Sequence, residues 1–375
     1  MNHTQITEQI DKMAEEAERE LRVLPETSFW HRIEQKLGIR HTDPTDSDSL
    51  PQVSIGWKKG ILLAGLLECG KSDVVADYLN HWIAQIYQPA EAGGRMMEAL
   101  TVEDFLSMQC LMQILHGSKA DTYRLMRETA EHAAQYLEHH ARDNMGSITY
   151  NEKAENGFIY ADGIGMICPF LCAYAVWKKD KHYLQEAIVQ IRNFYQNGFD
   201  QQSGLPWHCY DSRTGNQMGA LGWARAAGWI AFGIAESIRI LSESSQADAV
   251  FCSSSQPERE LLCEYLEQLL TAAETVRLPY GLYPWKAGET KADTSGSAMI
   301  IYAAAVYIRY CTQQEKDDTI RQSYESLQKY ICPDGRVLQA QGECIDAGVY
   351  AKSFSSYPWS VGMTLKLYSM MEKNQ

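Results

Sequence analysis

The 375 residues contain no uninterrupted run of about 18 apolar side chains, the length a helix needs to cross a bilayer, so no membrane-spanning segment is expected. The opening Met1-Asn2-His3-Thr4-Gln5 lacks the basic start and apolar stretch of a secretory leader. Positive charge is in short supply. Lys and Arg number 34 against 48 Asp and Glu, for a net charge of −14 and a pI near 5.2. Nucleic acid and anionic membrane both attract positive surfaces, so neither is expected as a partner. An acidic small substrate is not excluded, because one or two local cations in a pocket suffice for it. No two cysteines are spaced as CxxC. The ten are scattered, and several fall in apolar helical stretches where free thiols act as small hydrophobes. Neither a disulfide framework nor a cysteine metal site is therefore expected, and a reducing, cytoplasmic setting is.

Alternating strands are also missing, and helical periodicity fills the space. The spacing predicts helices near 4–22, 27–38, 58–69, 72–88, 102–116, 119–141, 164–178, 181–196, 221–243, 256–275, 296–312, 315–331 and 358–372. Gly60 through Leu67 is apolar nearly all round, which predicts deep burial. Val75, Leu79, Trp82, Ile83 and Ile86 recur at three- and four-residue steps behind Ser72 and Asp73, a suitable N-terminal cap. Short extended pieces are expected around 146–150, 156–160, 204–210 and 334–339. Residues 38–51 and 244–256 read as surface loops.

The helices alternate in character. An apolar helix with small residues is followed by a charged, amphipathic one: 58–69 then 72–88, 102–116 then 119–141, 164–178 then 181–196, 221–243 then 256–275, 296–312 then 315–331. The first of each pair suits an inner ring and the second an outer ring with one wet face. About a dozen such helices favour closure into six hairpins, an all-α (α/α)6 barrel, over an open solenoid. No domain boundary is visible. Residues 1–375 read as one domain, with 1–56 supplying N-terminal helices and a loop.

Polar and aromatic residues concentrate between the helices. Tyr160-Ala161-Asp162-Gly163 precedes an apolar helix, and Asp162 reads either as a helix N-cap or as an acid in a partly dry aromatic pocket, where desolvation would keep it protonated. His208 lies in the aromatic loop Gly204-Leu205-Pro206-Trp207-His208. Trp223-Ala224-Arg225 and Gly228-Trp229 combine indoles, which stack on sugar rings, with a guanidinium, which pairs with carboxylates. Ordinary core packing is the alternative for these tryptophans.

Taken in order, these clusters resemble glycoside hydrolase families 88 and 105, the unsaturated glucuronyl and rhamnogalacturonyl hydrolases. The resemblance rests on Tyr160-Ala161-Asp162-Gly163 with Pro169-Phe170-Leu171, on Trp223-Ala224-Arg225 with Gly228-Trp229, on His208, on Ser295-Gly296-Ser297-Ala298-Met299, and on Gly60 through Leu66. It implies an (α/α)6 barrel with neither metal nor other cofactor. It also implies a small oligosaccharide substrate, made by a lyase, that ends in an unsaturated uronic acid. Asp162 would be the general acid and base. Tyr160, His208, Trp223, Arg225, Trp229 and Trp57 would shape the sugar site, with Arg225 facing the uronate carboxylate. The rhamnogalacturonyl branch suggests rhamnogalacturonan fragments. The chain departs from the pattern at Ala226 and Ala227, and at Leu100-Thr101-Val102-Glu103-Asp104, where relatives carry a further Asp. Glu103 and Asp104 are its candidate replacements. These departures give a second reading, a sugar-binding relative without activity; because fold does not fix function, a third is a sugar epimerase on the same type of barrel.

Overall fold

A computed structural model describes residues 3–23, 54–86, 100–116, 123–150, 157–244, 249–312 and 318–372. The predicted helix 27–38 and loop 38–51 lie outside the described residues. Thirteen α-helices are described: α1 (His3–Val23), α2 (Gly56–Glu68), α3 (Ser72–Ile86), α4 (Phe105–His116), α5 (Arg124–His139), α6 (Ala161–Lys178), α7 (Lys181–Asn197), α8 (Ala224–Glu243), α9 (Ala249–Ser254), α10 (Gln256–Glu274), α11 (Thr294–Cys311), α12 (Asp318–Gln328) and α13 (Pro358–Glu372). The connection expected at 244–256 thus contains a short helix, α9.

The inner ring is α2, α4, α6, α8, α11 and α13, each packed on the next, and α13 returns to α2 to close the circle. Each of α3, α5, α7, α10 and α12 packs outside the inner helix it follows, as the alternation predicts. The sixth outer position belongs to α1, which lies against α13 and α2 with Met13, Ala14 and Ala17 buried. The first helix of the chain therefore completes the outer ring at the seam where the inner ring closes. No described helix is long and apolar enough to cross a membrane.

Small residues set how closely the inner helices approach. A Cβ on Gly65 of α2 would stand 2.6 Å from the Gly362 carbonyl oxygen of α13, and one on Gly165 of α6 would stand 2.8 Å from the Trp229 carbonyl oxygen of α8. Both are closer than van der Waals contact allows, so these two seams depend on the missing side chains.

The expected extended pieces are shorter than predicted. Three short strands, β1 (Phe158–Tyr160), β2 (Cys209–Asp211) and β3 (Gln217–Met218), form an antiparallel sheet in that order. A second pair, β4 (Ala340–Gln341) and β5 (Phe354–Ser355), frames the segment before α13. At 146–150 there is only the bridge between Arg142 and Ile148.

The cysteine expectation needs correction. Cys263 of α10 and Cys311 at the end of α11 form a disulfide, their Cα atoms 5.8 Å apart. The other eight cysteines are free thiols. Forty-eight positions separate the bonded pair, so only the packing of an outer helix against an inner one brings them together.

Part-way along the ring, well inside it, lies a cluster of charges. Glu236 of α8 meets Lys366 Nζ of α13 at 3.2 Å and Arg239 Nη2 at 2.9 Å, and Glu68 of α2 meets the same two cations at 3.1 and 3.0 Å. Gln109 of α4 and Tyr302 of α11 donate to the Glu236 carboxylate. Five of the six inner helices thus contribute to one buried knot. Buried charges persist when paired and hydrogen-bonded in this way.

Candidate active site

All six inner helices begin at one end of the ring, and the candidate residues gather there. The local reason is a register. β1 pairs with β2 so that Tyr160 lies opposite Cys209, and the Ala161 N–H donates to the His208 carbonyl at 2.9 Å. That places His208 beside the first turn of α6, and its Nε2 stands 3.3 Å from Asp162 Oδ2. Tyr160 occupies the N-cap position of α6, so Asp162 lies inside the helix and is not the cap. Its Oδ2 is buried without a hydrogen-bond partner. His208 Nε2 reaches it at ion-pair distance but too obliquely for a full hydrogen bond.

Glu103 and Asp104 take different parts. Asp104 Oδ1 accepts from Ser54 Oγ and the Gly56 N–H, both at 2.9 Å. Its Oδ2 accepts from the Thr101 N–H at 2.8 Å and from Thr101 Oγ1 at 3.0 Å. Asp104 is fully buried and fastens the start of α2 to the start of α4, so it is not available as a second carboxylate. Glu103 keeps some exposure and accepts from Tyr150 Oη at 3.2 Å. Burial, reinforced by the neighbouring Asp104 charge, pushes the Glu103 carboxyl up to about 7. Burial also pushes the Tyr150 phenol well above its ordinary range, with the Glu103 charge adding to the effect. The Tyr150 ring packs on Tyr160 at 5.5 Å, which links the Glu103 side of the mouth to the Asp162 side.

The tryptophans and Arg225 are less open than expected. Arg225 is 2% exposed. Its Nη1 donates to the Gln341 carbonyl at 2.6 Å and its Nη2 to the Gly342 carbonyl at 2.9 Å. Its guanidinium also lies over the rings of Trp223 and Trp359. Both terminal nitrogens hold backbone, which corrects the expectation that Arg225 faces a substrate carboxylate. Trp223 sits just outside α8 at its N-cap, its indole N–H donating to Gln341 Oε1 at 2.8 Å. Trp223 and Trp229 are each 1% exposed, so they support the mouth from below and offer no open face to a sugar. Trp57 lies within the first turn of α2, not before it. It is partly buried, 4.9 Å from Trp359 and edge-on to Trp229 at 6.1 Å.

The sequence reading missed the segment between β4 and α13. Residues 340–357 cross the mouth and are tied to it at four points. Arg225 holds the backbone at 341 and 342. Lys58 Nζ meets Glu343 Oε1 at 2.7 Å. Tyr160 Oη donates to Asp346 Oδ1 at 2.8 Å. Tyr350 Oη lies 3.2 Å from His208 Nδ1. No motif or periodicity marks this strap. Its polar residues at 343, 346 and 350 look in sequence like any surface loop.

The site is therefore an acid-rich, aromatic mouth holding one carboxylate oxygen without a hydrogen bond, one carboxyl that titrates near neutrality, and a histidine beside the first of these. Comparisons with known proteins place the chain as a whole. Over 190 residues the sequence is 22% identical to the unsaturated rhamnogalacturonyl hydrolase YesR of Bacillus subtilis (strain 168), covering 49% of this chain and 54% of the relative, about half the length of that protein. The fold is similar to that of a possible GH105 family member from Klebsiella pneumoniae subsp. pneumoniae, with a TM-score of 0.75 at 15% identity, covering 100% of this chain and 94% of that one. It is also similar to the unsaturated glucuronyl hydrolase from Bacillus sp. GL1, with a TM-score of 0.61 at 16% identity, covering 91% and 93%. The family model for Glycosyl Hydrolase Family 88 matches residues 29–375, a span that takes in all six inner helices, and the chain belongs to that family.

Proposed function

We propose that this chain removes an unsaturated uronic acid from the non-reducing end of short, lyase-generated oligosaccharides, with rhamnogalacturonan fragments as the substrate. Asp162 protonates the enol-ether double bond of the uronate on carbon 4, and the positive charge that develops at carbon 5 is shared by the ring oxygen. Water adds at carbon 5 and gives up its proton to a carboxylate. The resulting hemiketal opens, and the rest of the saccharide leaves. One water is consumed, and the double bond is lost before the glycosidic link breaks, which sets the reaction apart from two-carboxylate displacement at the anomeric carbon.

The observation that carries this reading is Asp162 itself: a carboxylate in the first turn of an inner helix, with a buried Oδ2 that makes no hydrogen bond. Protonating carbon requires an acid held close and shielded from bulk water. Glu103, with a carboxyl near 7, is the second carboxyl of the site and a receiver for the proton from water. Trp57 and Tyr160 supply the aromatic surface for the sugar. Lys58, at the mouth beside Trp57, takes the uronate carboxylate in place of Glu343. Eight free thiols favour a cytoplasmic place of action, and the Cys263–Cys311 bond is the feature that speaks against it.

The test follows the ultraviolet absorbance of the conjugated uronate. Wild type consumes the chromophore, and Asp162→Asn slows the loss by roughly 10²- to 10⁴-fold, the range that general acid–base groups contribute. Folded wild type that binds such saccharides and leaves the double bond intact over a broad panel would overturn the reading in favour of a sugar-binding relative.

A further inference from the structure

Tyr350 belongs to the strap and to none of the family motifs, yet its hydroxyl stands 3.2 Å from Nδ1 of His208. Which imidazole nitrogen carries the proton is set by the hydrogen bond at the other nitrogen. The Tyr350 oxygen already receives the Ala220 backbone N–H at 2.8 Å. The phenol is packed among His208, Trp223 and Trp285, so its own hydrogen needs an acceptor there. His208 Nδ1 is the acceptor within reach. The other group near Nδ1 is Cys344 Sγ at 4.0 Å, and its S–H is directed at the Asp346 carbonyl at 2.9 Å. Burial raises the Tyr350 phenol above its ordinary range, which keeps that hydrogen in place.

The packing is built for this contact. Gly219 has φ +89°, and a Cβ there would stand 2.6 Å from both His208 Cβ and Tyr350 Oη. Only glycine lets the loop pass while histidine and tyrosine meet. Trp223 packs on Tyr350 at 5.0 Å and on His208 at 4.5 Å, and Trp285 closes the far side of the tyrosine at 5.9 Å.

We propose that Tyr350 is a positioning residue that fixes His208 as the Nε2–H tautomer and so aims an N–H at Asp162 Oδ2. This rests on the reading of Asp162 as the acid–base group. With the His208 N–H facing Oδ2 at 3.3 Å, the proton that Asp162 transfers resides on Oδ1. The strap thereby reaches the chemistry through the histidine without touching substrate.

The experiment is nitrogen NMR of the full-length protein labelled with ¹⁵N in its imidazoles, at about pH 8, above the usual histidine range, with the His208 signals identified by their absence in His208→Gln. Wild type is expected to show an unprotonated Nδ1 and a protonated Nε2 for His208. Tyr350→Phe, which keeps the ring, is expected to give a mixture of tautomers. Its kcat should fall roughly 10- to 100-fold, the scale seen when a group that orients a reactive side chain is removed, with KM changed less than about twofold. A protonated Nδ1 in wild type overturns the proposal, as does Tyr350→Phe with tautomer and kcat both unchanged. If Tyr350→Phe does not fold, the wild-type spectrum decides alone. Wild type that turns over no unsaturated oligosaccharide sinks the functional reading, whereas the spectrum answers for the tautomer separately.

Discussion

Two glutamates on the same ring show how neighbours decide what burial does. Glu236, in the knot, is fully buried, and burial alone would raise its carboxyl. Arg239 and Lys366 outweigh that and hold it down at about 2. Glu103, at the mouth, has another carboxylate, Asp104, as its strongest charged neighbour, and Lys58 is too weak an influence to offset burial, so its carboxyl is pushed up to about 7. In the knot every charge has an opposite partner, which fixes structure. At the mouth acids outnumber cations, which leaves a proton to be moved.

The largest effect that could break this comparison is on stability. Lys366→Met strips Glu68 and Glu236 of one of their two shared cations and should cost about 3–5 kcal/mol in urea unfolding. The kcat of the remaining folded enzyme should change less than about twofold. A parallel collapse of kcat would show that knot and mouth are one unit. The two glutamates themselves should then respond with opposite signs. Glu236→Gln should lose about 3 kcal/mol at neutral pH. Glu103→Gln should gain on the order of 1–3 kcal/mol at about pH 8, because it removes a carboxylate, ionised in both states at that pH, whose charge folding must bury at a cost.

The pH dependence follows from the directions of these shifts. The Glu236 carboxyl is depressed, so its contribution is complete above about 4.5 and is lost as pH falls toward 2. The Glu103 carboxyl is raised, so the stability it allows at low pH is lost as pH rises from 4.5 through 7. Stability curves of the two glutamine variants against wild type, measured across both windows, check the signs. The smallest expected effect is at Lys58. Lys58→Ala should raise KM roughly tenfold, the worth of about 1.4 kcal/mol from one charge-assisted hydrogen bond. Its unfolding free energy should move by less than about 1 kcal/mol, since the Lys58–Glu343 pair is partly exposed. An unchanged KM would remove Lys58 from substrate recognition.

Much of the ring was legible in residue order. Gly60 through Leu67, apolar on every side, could only be an inner helix, and the charged faces of 119–141 and 315–331 could only be outer. Asp162 was visible as a polar residue at the edge of an apolar helix, and His208 as one in an aromatic loop. The roles of Arg225, Trp223 and Trp229 were not legible, because residue type shows what a side chain can bind and not whether backbone already occupies it. Asp104 and Glu103 are adjacent in sequence, yet one is tied by four hydrogen bonds and the other faces the mouth. Only the direction of each side chain separates them. The knot was hidden for a different reason: Glu68, Glu236, Arg239 and Lys366 lie on three helices far apart in sequence and meet only when the ring closes around them.

Closure also orders events in time. The inner ring is sealed where α13 meets α2, elements separated by almost the whole chain, and the strap that holds His208 and Arg225 immediately precedes α13. A nascent chain that has made every inner helix but the last has an open ring, an exposed Gly65 seam and no strap across the mouth. Such long-range closure is slow and leaves apolar surface uncovered meanwhile. The residues of the mouth are spread from 57 to 350, so catalytic competence arrives in one step, when the last inner helix docks, rather than growing with the chain.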